Sequence, residues 1–399
     1  MPKIAILTSG GIAPCLSSTI GGLIEKYNEL SPDSEIIGYM HGYRGLLQGN
    51  SIVFSEKVKR NYKILYNFGG SPIGNSRVKL TNIDDCVKKG YVEEGQDPLQ
   101  VAAEQLLADK VDILHTIGGD DTNTMAAALA DHLKVSGTKL TVVGLPKTID
   151  NDVIPVKQTL GAWTAAEQGA IFFQNIVNEN TTSSRQLIIH EVMGRHCGWL
   201  TAATAHEYRN LLKEMESLSD LFISKNRWDI HAVYIPEKDI DFQKESIRLR
   251  KCMDENDCVN IFLSEGAGME TIIRELESQG TEVPRDAFGH VRLDDINPGQ
   301  WFADQFAEAL GADKTLIQKS GYFARSAKPG SRDLELIKKS AFTAAEFALQ
   351  GNSGLVGLDE NNNGELGLID FQLIRGGKAF DISSEWYKDL LYDIGQETP

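Results

Sequence analysis

The chain has 399 residues, of which 41% are hydrophobic and 24% are charged, so it is long enough for two or three domains with buried cores. Its formal net charge of −16 at pH 7 excludes nucleic acid as the main partner and requires local Lys and Arg for any anionic substrate. The absence of a secretory signal and of a membrane-length apolar run, with five scattered cysteines and no CxxC pair, predicts a cytoplasmic protein without a membrane partner.

Apolar strand-like runs alternate with helix-like segments along the chain. Helices are predicted at about 17–27 and 101–107, and strands at 4–7, 111–117, 140–145, 186–192, 231–235 and 259–263. This alternation predicts an α/β protein with mainly parallel sheets covered by helices. Ligands of such folds collect at the carboxyl ends of the strands, so the loops that follow the strands are the candidate sites.

The first two candidate loops follow the strands at 4–7 and 111–117. The turn Thr8-Ser-Gly-Gly11 lets backbone N–H groups approach a phosphate, although many such turns are only tight connections. Residues 118–123 read GGDDTN, and a glycine turn between a strand and a helix forms an anion site. Asp120 and Asp121 place two negative charges in that turn, and the second of them needs an explanation.

Two further loops carry charged residues where a strand ends. Residues 146–152 read PKTIDND, and residues 191–200 read EVMGRHCGWL with Arg195 before a helix. Taken singly, these residues have structural alternatives, since Asp150 or Asp152 could cap a helix and Lys147 could be a solvated surface charge. Together the loops supply carboxylates for a metal and for a base, with cations for phosphate, which is the set that phosphoryl transfer needs.

Residues 359–364, DENNNG, resemble the beginning of a calcium loop. The twelfth position is Asp370 rather than Glu, and the flanking residues read as strands instead of helices. We therefore predict a hairpin turn built on Asn363 and Gly364.

Six short motifs follow one another along the chain. They are LTSGG (7–11), IGGDD (117–121), PKTIDND (146–152), EVMGR (191–195), SEG (264–266) and YFAR (322–325). The sequence therefore resembles the phosphofructokinase family over roughly residues 3–325. Lipid kinases and NAD kinases share a GGDG-like turn but lack the TIDND and MGR loops. The resemblance implies two similar lobes with the active site in the cleft between them.

The same resemblance explains the second aspartate. ATP-using members have Gly-Gly-Asp-Gly at the turn and a small residue before the TIDND threonine, whereas this chain has Asp121 and Lys147. Asp121 would occupy the space of the ATP α-phosphate and repel its charge, which is typical of the pyrophosphate-dependent branch. The implied reaction is reversible phosphoryl transfer from pyrophosphate to the C1 hydroxyl of fructose 6-phosphate.

Two alternatives stay open. An ATP-dependent phosphofructokinase is opposed by Asp121 and Lys147, and a non-catalytic sugar-phosphate-binding regulatory subunit is opposed by the intact TIDND and MGR loops. Sedoheptulose 7-phosphate offers the same kind of hydroxyl and phosphate groups as fructose 6-phosphate, so it remains a second candidate acceptor.

On the donor side, the resemblance implies three chemical roles. Asp120 resembles the carboxylate associated with Mg²⁺, Asp150 matches the general base, and Lys147 would neutralise charge on the moving phosphoryl group. The implied pyrophosphate contacts are Gly10, Gly11, Arg77 and Lys147. Lys79, two residues after Arg77, could belong to this set or to the solvated surface.

On the acceptor side, the resemblance implies a loop for the fructose, a carboxylate for its hydroxyls and a clamp for its 6-phosphate. The implied contacts are Thr148, Ile149, Asp150, Asp152, Met193, Gly194, Arg195, Glu265, Lys319, Tyr322 and Arg325. Arg185 is an offset candidate for the arginine that the family supplies from a partner subunit, and the roles of His290 and Arg292 stay open because their segment departs from the family pattern.

The lobes are expected to exchange segments. The lobe on the pyrophosphate and Mg²⁺ side is predicted at 1–161 with a return segment at about 291–340. The lobe on the sugar-phosphate side is predicted at 162–290 with the C-terminal 341–399. The family also implies a homo-oligomer, with a dimer as the first expectation.

Overall fold

A computed structural model of the chain describes residues 1–218, 220–278, 280, 283 and 296–396. The chain divides into two compact units. Unit 1 comprises Met1–Thr164 and Arg325–Lys378, and unit 2 comprises Ala165–Ala324 and Ala379–Pro399. Within the part of the chain that the structure describes, no helix is both long enough and apolar enough to cross a membrane.

The strands, in chain order, are β1 (Ile4–Thr8), β2 (Ile36–Tyr39), β3 (Ser51–Val53), β4 (Ile113–Gly118), β5 (Thr141–Pro146), β6 (Gln186–Val192), β7 (Ala232–Tyr234), β8 (Cys258–Ser264), β9 (Lys314–Lys319), β10 (Gly354–Asp359) and β11 (Glu365–Ile369). The helices are α1 (Leu16–Leu30), α2 (Tyr43–Leu47), α3 (Glu56–Arg60), α4 (Ile83–Lys88), α5 (Pro98–Ala108), α6 (Asp120–Val135), α7 (Ala162–Ile176), α8 (Trp199–Glu214), α9 (Lys225–Trp228), α10 (Phe242–Asn256), α11 (Met269–Ser278), α12 (Pro298–Leu310), α13 (Gly321–Arg325), α14 (Ser331–Leu349) and α15 (Glu385–Asp393).

Unit 1 is built on a sheet with the strand order β11-β10-β5-β4-β1-β2-β3. Neighbouring strands from β10 to β2 pair in parallel, and β11 and β3 are antiparallel edges. The central strands are buried, which explains continuous apolar runs such as that of β1. Because β1, β4 and β5 are adjacent and parallel, the loops that follow them lie at one edge of the sheet.

Unit 2 is built on a parallel sheet with the strand order β7-β8-β6-β9. Its apolar core includes the rings of Tyr234, Phe302 and Phe306, in which Tyr234 stacks on both phenylalanines and the two phenylalanine rings are tilted to each other. The loops after β6, β8 and β9 again share one edge of the sheet. The predicted α/β class with mainly parallel sheets is therefore confirmed.

The predicted hairpin turn is also confirmed. β10 and β11 pair antiparallel, with Asp359 opposite Glu365. Asn363 and Gly364 close the turn with positive φ values of 54° and 76°, as an Asn-Gly turn favours.

The segments that return to each unit differ from the predicted ones. Residues 296–324 belong to unit 2, because β9 pairs with β6. Residues 341–378 belong to unit 1, because β10 pairs with β5. Sequence gives no signal for either pairing, since both join strands separated by more than a hundred residues.

Candidate active site

In unit 1, the loop after β1 is fastened to the segment around residue 76. Gly10 N and Ser9 Oγ each donate to Ser76 O, both at 2.9 Å. Asn75 Nδ2 lies 3.3 Å from Gly10 O and 3.4 Å from Gly11 O, and donates to both. These hydrogen bonds therefore hold the loop after β1 and residues 75–76 together.

Three cationic side chains surround Gly11. Lys147 Nζ donates to Gly11 O at 2.8 Å. A Cβ atom at Gly11 would lie 2.9 Å from Nη2 of Arg325 and 3.7 Å from Nη2 of Arg77. Arg325 Nε also donates to Ile12 O at 3.4 Å. The missing side chain leaves space in which two guanidinium groups and an ammonium group converge, which suits a compact polyanion.

Lys147 is a buried charge, with 4% of its surface exposed. Its pKa is lowered to about 8, mainly by burial and in smaller part by Arg325 and Arg77, while Cys15 and Asp150 act in the opposite direction. A bound anion would favour the charged form of Lys147, so a phosphate group beside it would raise its pKa again.

The loop after β5 holds two acids around one hydroxyl. Asp150 N donates to Thr148 Oγ1 at 3.2 Å, and Thr148 Oγ1 donates to Asp152 Oδ1 at 3.3 Å. Asn151 adopts a positive φ of 56°, and its Oδ1 accepts from Thr159 N at 2.8 Å. The conformation of the loop is thus fixed by hydrogen bonds within residues 148–152 and by the bond from Thr159, further along the same connection.

Asp120 and Asp121 open α6, where carboxylates stabilise the helix N-terminus. Burial raises the pKa of Asp152, and the negative charge of Asp120 raises it further. Asp121 is 62% exposed, and its Oδ1 lies 2.9 Å from Lys79 Nζ. The two aspartates therefore have different surroundings: the charge of Asp120 acts on the Asp152 carboxyl, whereas Asp121 faces solvent beside Lys79.

In unit 2, the loop after β6 has a shape that only small residues allow. Gly194 has a positive φ of 134°, its O accepts from Ser264 Oγ at 2.5 Å, and its N donates to Glu265 Oε1 at 3.4 Å. A Cβ atom at Gly266 would lie 1.9 Å from Arg195 O. The MGR and SEG motifs are therefore packed against each other.

The remaining predicted residues of unit 2 lie at the end of β9. Lys319 Nζ is 2.8 Å from Oε1 of Glu191, a buried carboxylate at the end of β6. A Cβ atom at Gly321 would lie 3.1 Å from Cγ and Sδ of Met193. Tyr322 is 76% exposed. The end of β9 therefore lies against Glu191 at the end of β6 and against Met193 of the MGR loop, and Tyr322 is the residue after Gly321.

The predicted site residues divide between the units. Unit 1 holds Gly10, Gly11, Arg77, Asp120, Asp121, Lys147, Thr148, Ile149, Asp150, Asp152 and Arg325, and unit 2 holds Met193, Gly194, Arg195, Glu265, Lys319 and Tyr322. Arg325 was expected in the clamp with Lys319 and Tyr322, yet it contacts the glycine loop of unit 1.

The sequence left the roles of Arg185, His290 and Arg292 open, and the structure describes only Arg185. Arg185 donates to Gly311 O at 2.6 Å and Leu310 O at 2.7 Å and pairs with Asp254, so its guanidinium serves the end of α12. His290 and Arg292 lie outside the described residues.

Sequence reasoning missed Asp333, a fully buried acid in the first turn of α14. Its carboxylate accepts from Gly161 N at 3.0 Å, from Thr164 N at 3.1 Å and from Thr164 Oγ1 at 2.8 Å. A Cβ atom at Gly161 would lie 3.1 Å from Cδ of Pro14, so α7 begins where no local capping side chain fits. Asp333 supplies that cap from 172 residues away.

Unit 1 thus combines an α/β fold, a cation-lined glycine loop and neighbouring carboxylates at the carboxyl ends of parallel strands. A family model described as Phosphofructokinase matches residues 3–348, and the chain belongs to the phosphofructokinase family.

Relatives with the name pyrophosphate–fructose 6-phosphate 1-phosphotransferase resemble the whole chain. The protein of Methylotuvimicrobium alcaliphilum is 58% identical over 99% of this chain and 96% of its own length. The protein of Propionibacterium freudenreichii is 56% identical over 100% of this chain and 98% of its own. A crystal structure of a pyrophosphate-dependent phosphofructokinase from Marinobacter aquaeolei is 19% identical and has a TM-score of 0.71, covering 100% of this chain and 92% of that one, which shows a shared fold.

Proposed function

We propose that the protein catalyses the reversible, Mg²⁺-dependent transfer of a phosphoryl group from pyrophosphate to the C1 hydroxyl of fructose 6-phosphate, in glycolysis and gluconeogenesis. The observation that carries this proposal is the presence of two charged residues at neighbouring strand ends: Lys147 after β5, which is buried and donates to Gly11 O of the glycine loop, and Asp121 after β4, in the first turn of α6. The same activity is named for relatives 56% to 58% identical over nearly the full chain.

The donor is held by the loop around Gly11. Lys147, Arg77 and the backbone of Gly10 and Gly11 would neutralise and orient the two phosphates, because positioning and charge neutralisation are most of the catalysis in phosphoryl transfer. Arg325 lies against the same loop and would contact either the donor or the sugar phosphate when both are bound.

Mg²⁺ fits the acids of unit 1. Asp120 would supply the ligand from the protein. Its negative charge lies near enough to Asp152 to add to the effect of burial and raise the pKa of the Asp152 carboxyl. No group of three or more metal-binding side chains exists among the described residues, which agrees with an ion that keeps waters and substrate oxygens as ligands. When bound, Mg²⁺ would neutralise negative charge on the donor.

Asp150 would accept the proton of the sugar C1 hydroxyl. The backbone that carries Asp150 is held by the Thr148 hydroxyl, and the Asn151 side chain ties the same loop to Thr159, which helps to orient the base. Thr148, Ile149 and Asp152 would line the acceptor beside it.

The sugar phosphate would bind the residues of unit 2. Met193, Gly194 and Arg195 would hold the fructose, Glu265 its hydroxyls, and Lys319 and Tyr322 the 6-phosphate. The Lys319–Glu191 pair supports this, because it fixes an otherwise mobile ammonium group at the end of β9.

Asp121 would select the donor. Its carboxylate fills the place that an α-phosphate needs, and pyrophosphate has no third phosphate to reach it. The exposed pair with Lys79 is worth only about 0.2 to 1 kcal/mol, so it does not cancel the repulsion of an approaching anion. An ATP-dependent reaction is the disfavoured alternative.

The test compares donors with purified protein, fructose 6-phosphate and Mg²⁺. Pyrophosphate should give fructose 1,6-bisphosphate and phosphate with kcat/KM exceeding that for ATP by on the order of 10²-fold or more. The reverse reaction from fructose 1,6-bisphosphate and phosphate should also run. Equal or better use of ATP would refute the proposal. The protein is further proposed to be a cytoplasmic homodimer, and light scattering on the same sample would test the dimer by its molar mass.

A further inference from the structure

A short segment near the C-terminus is paired with the loop that carries the proposed base. We name residues 375–378 the C-terminal strap. Ile154 N donates to Arg375 O at 2.7 Å, and Arg375 N donates back to Ile154 O at 3.2 Å. Lys378 N donates to Asp152 O at 3.0 Å. The strap therefore adds an antiparallel bridge to a loop more than two hundred residues earlier in the chain.

The side chain of Lys378 strengthens this attachment. Its Nζ donates to Val156 O at 2.6 Å and to Glu360 Oε1 at 2.8 Å. The strap is thus held at both ends, by Arg375 and by Lys378, and Gly376 has little freedom to move away from whatever it contacts.

Gly376 contacts Asp120. A Cβ atom at Gly376 would lie 1.9 Å from Oδ2 and 2.7 Å from Cγ of Asp120, and real Cβ atoms do not approach that closely. The backbone at this position has no positive φ, so the requirement for glycine is one of space. Gly377 differs, because it has a positive φ of 79° and open space within the described part of the chain.

We propose that the C-terminal strap positions the acids of unit 1 for phosphoryl transfer, with Gly376 as the positioning residue for Asp120. This inference rests on the proposed function. Asp120 and Asp152 carry like charges and tend to separate when no cation lies between them. The strap opposes that separation, because it packs its backbone on Asp120 and hydrogen-bonds the backbone of Asp152. Reacting groups that lose their alignment by about 1 Å lose on the order of 10²-fold in rate.

The variant Gly376→Ala tests the inference, and Gly367→Ala is its matched control. Gly367 lies in β11 of the same unit, and no heavy atom of the described residues is within 4 Å of the Cβ that alanine would add. Gly376→Ala should lower kcat by on the order of 10²-fold, raise the Mg²⁺ concentration for half-maximal rate, and leave the KM for fructose 6-phosphate within about twofold. Gly367→Ala should match the parent in all three.

A second measurement does not depend on activity. Introduced into the parent protein, Gly376→Ala should lower the melting temperature. Introduced into the Asp120→Ala variant, the same change should lower the melting temperature much less, because the clashing carboxylate is then absent. Titration calorimetry should also show weaker binding of Mg²⁺-pyrophosphate to Gly376→Ala than to Gly367→Ala.

The outcomes separate the two hypotheses. A parent protein without pyrophosphate turnover refutes the proposed function, and the thermal cycle still decides whether Gly376 holds Asp120. An active parent with normal Gly376→Ala kinetics refutes the strap. The strap hypothesis is also refuted if the lower rate of Gly376→Ala is fully explained by the fraction of unfolded protein and the Mg²⁺ dependence of the rate is unchanged.

Discussion

Replacing Lys147 by methionine is expected to stabilise the fold while removing pyrophosphate use. Lys147 is buried, and the lowering of its pKa from 10.5 to about 8 corresponds to a penalty of about 3 kcal/mol for the charged form. Methionine removes that penalty at similar volume. The hydrogen bond from Nζ to Gly11 O is also lost, at a cost of about 1 to 2 kcal/mol. The free energy of unfolding should therefore rise by about 1 to 2 kcal/mol.

The increase in the free energy of unfolding that Lys147→Met causes should depend on pH. Below about pH 8, Lys147 is charged in both the folded and the unfolded chain, and the penalty is fully present. Between about 8 and 10.5 the folded chain has lost the proton that the unfolded chain keeps, so the penalty declines as pH rises. The advantage of Lys147→Met should be largest near pH 7 and should vanish at about pH 9 to 10, where the remaining penalty equals the cost of the lost hydrogen bond. Above about pH 10.5 the parent should be the more stable protein.

Urea unfolding at about pH 7 and pH 9.5 measures the stability, and steady-state kinetics measures the activity. The kcat/KM for pyrophosphate should fall by on the order of 10² to 10³-fold, because a buried cation next to the donor is lost. Lys57→Met in α3, an exposed lysine, is the control and should change neither quantity. A methionine variant less stable than the parent near pH 7, or one that keeps its pyrophosphate rate within a few-fold, would refute the reasoning.

Three further changes test other parts of the site. Asp150→Asn should lower kcat by on the order of 10² to 10⁴-fold with an unchanged KM for fructose 6-phosphate, and a kcat within a few-fold of the parent would remove Asp150 as the base. Arg195→Ala should raise the KM for fructose 6-phosphate by on the order of 10-fold or more and that for pyrophosphate little, whereas equal effects would place the arginine elsewhere. Asp333→Ala should cost about 3 to 5 kcal/mol in urea unfolding, because three buried hydrogen bonds lose their acceptor, while Glu335→Ala on the exposed side of α14 should cost less than about 0.5 kcal/mol.

The sheets and the loops at their edges could be predicted from the sequence. Buried parallel strands leave continuous apolar runs, and a glycine turn before a helix is a local pattern, so β1, β4, β5 and β6 were recognisable with their loops. The same locality made the Asn363-Gly364 hairpin predictable. In each case the information lies within about ten neighbouring residues.

Contacts between distant segments could not be predicted in this way. Asp333 looks like any acid near the start of a helix, and only the fold brings it to Gly161. Arg325 follows the exposed Tyr322 within one short helix, yet its guanidinium lies beside Gly11, more than three hundred residues earlier. The return segments and the C-terminal strap could not be predicted for the same reason, because the pairing of segments so far apart in the sequence leaves no local pattern of residues.

Donor selection by Asp121 and Lys147 is tested most directly by kcat/KM for pyrophosphate and for ATP in four proteins: the parent, Asp121→Gly, Lys147→Gly and the double variant. Asp121→Gly should make ATP use measurable, since it removes both volume and charge at the α-phosphate position. The double variant should use ATP better still and lose pyrophosphate activity steeply, because Lys147 supplies charge that a small donor needs. If Asp121→Gly leaves ATP use undetectable and the double variant keeps the pyrophosphate rate of the parent, these two residues do not select the donor.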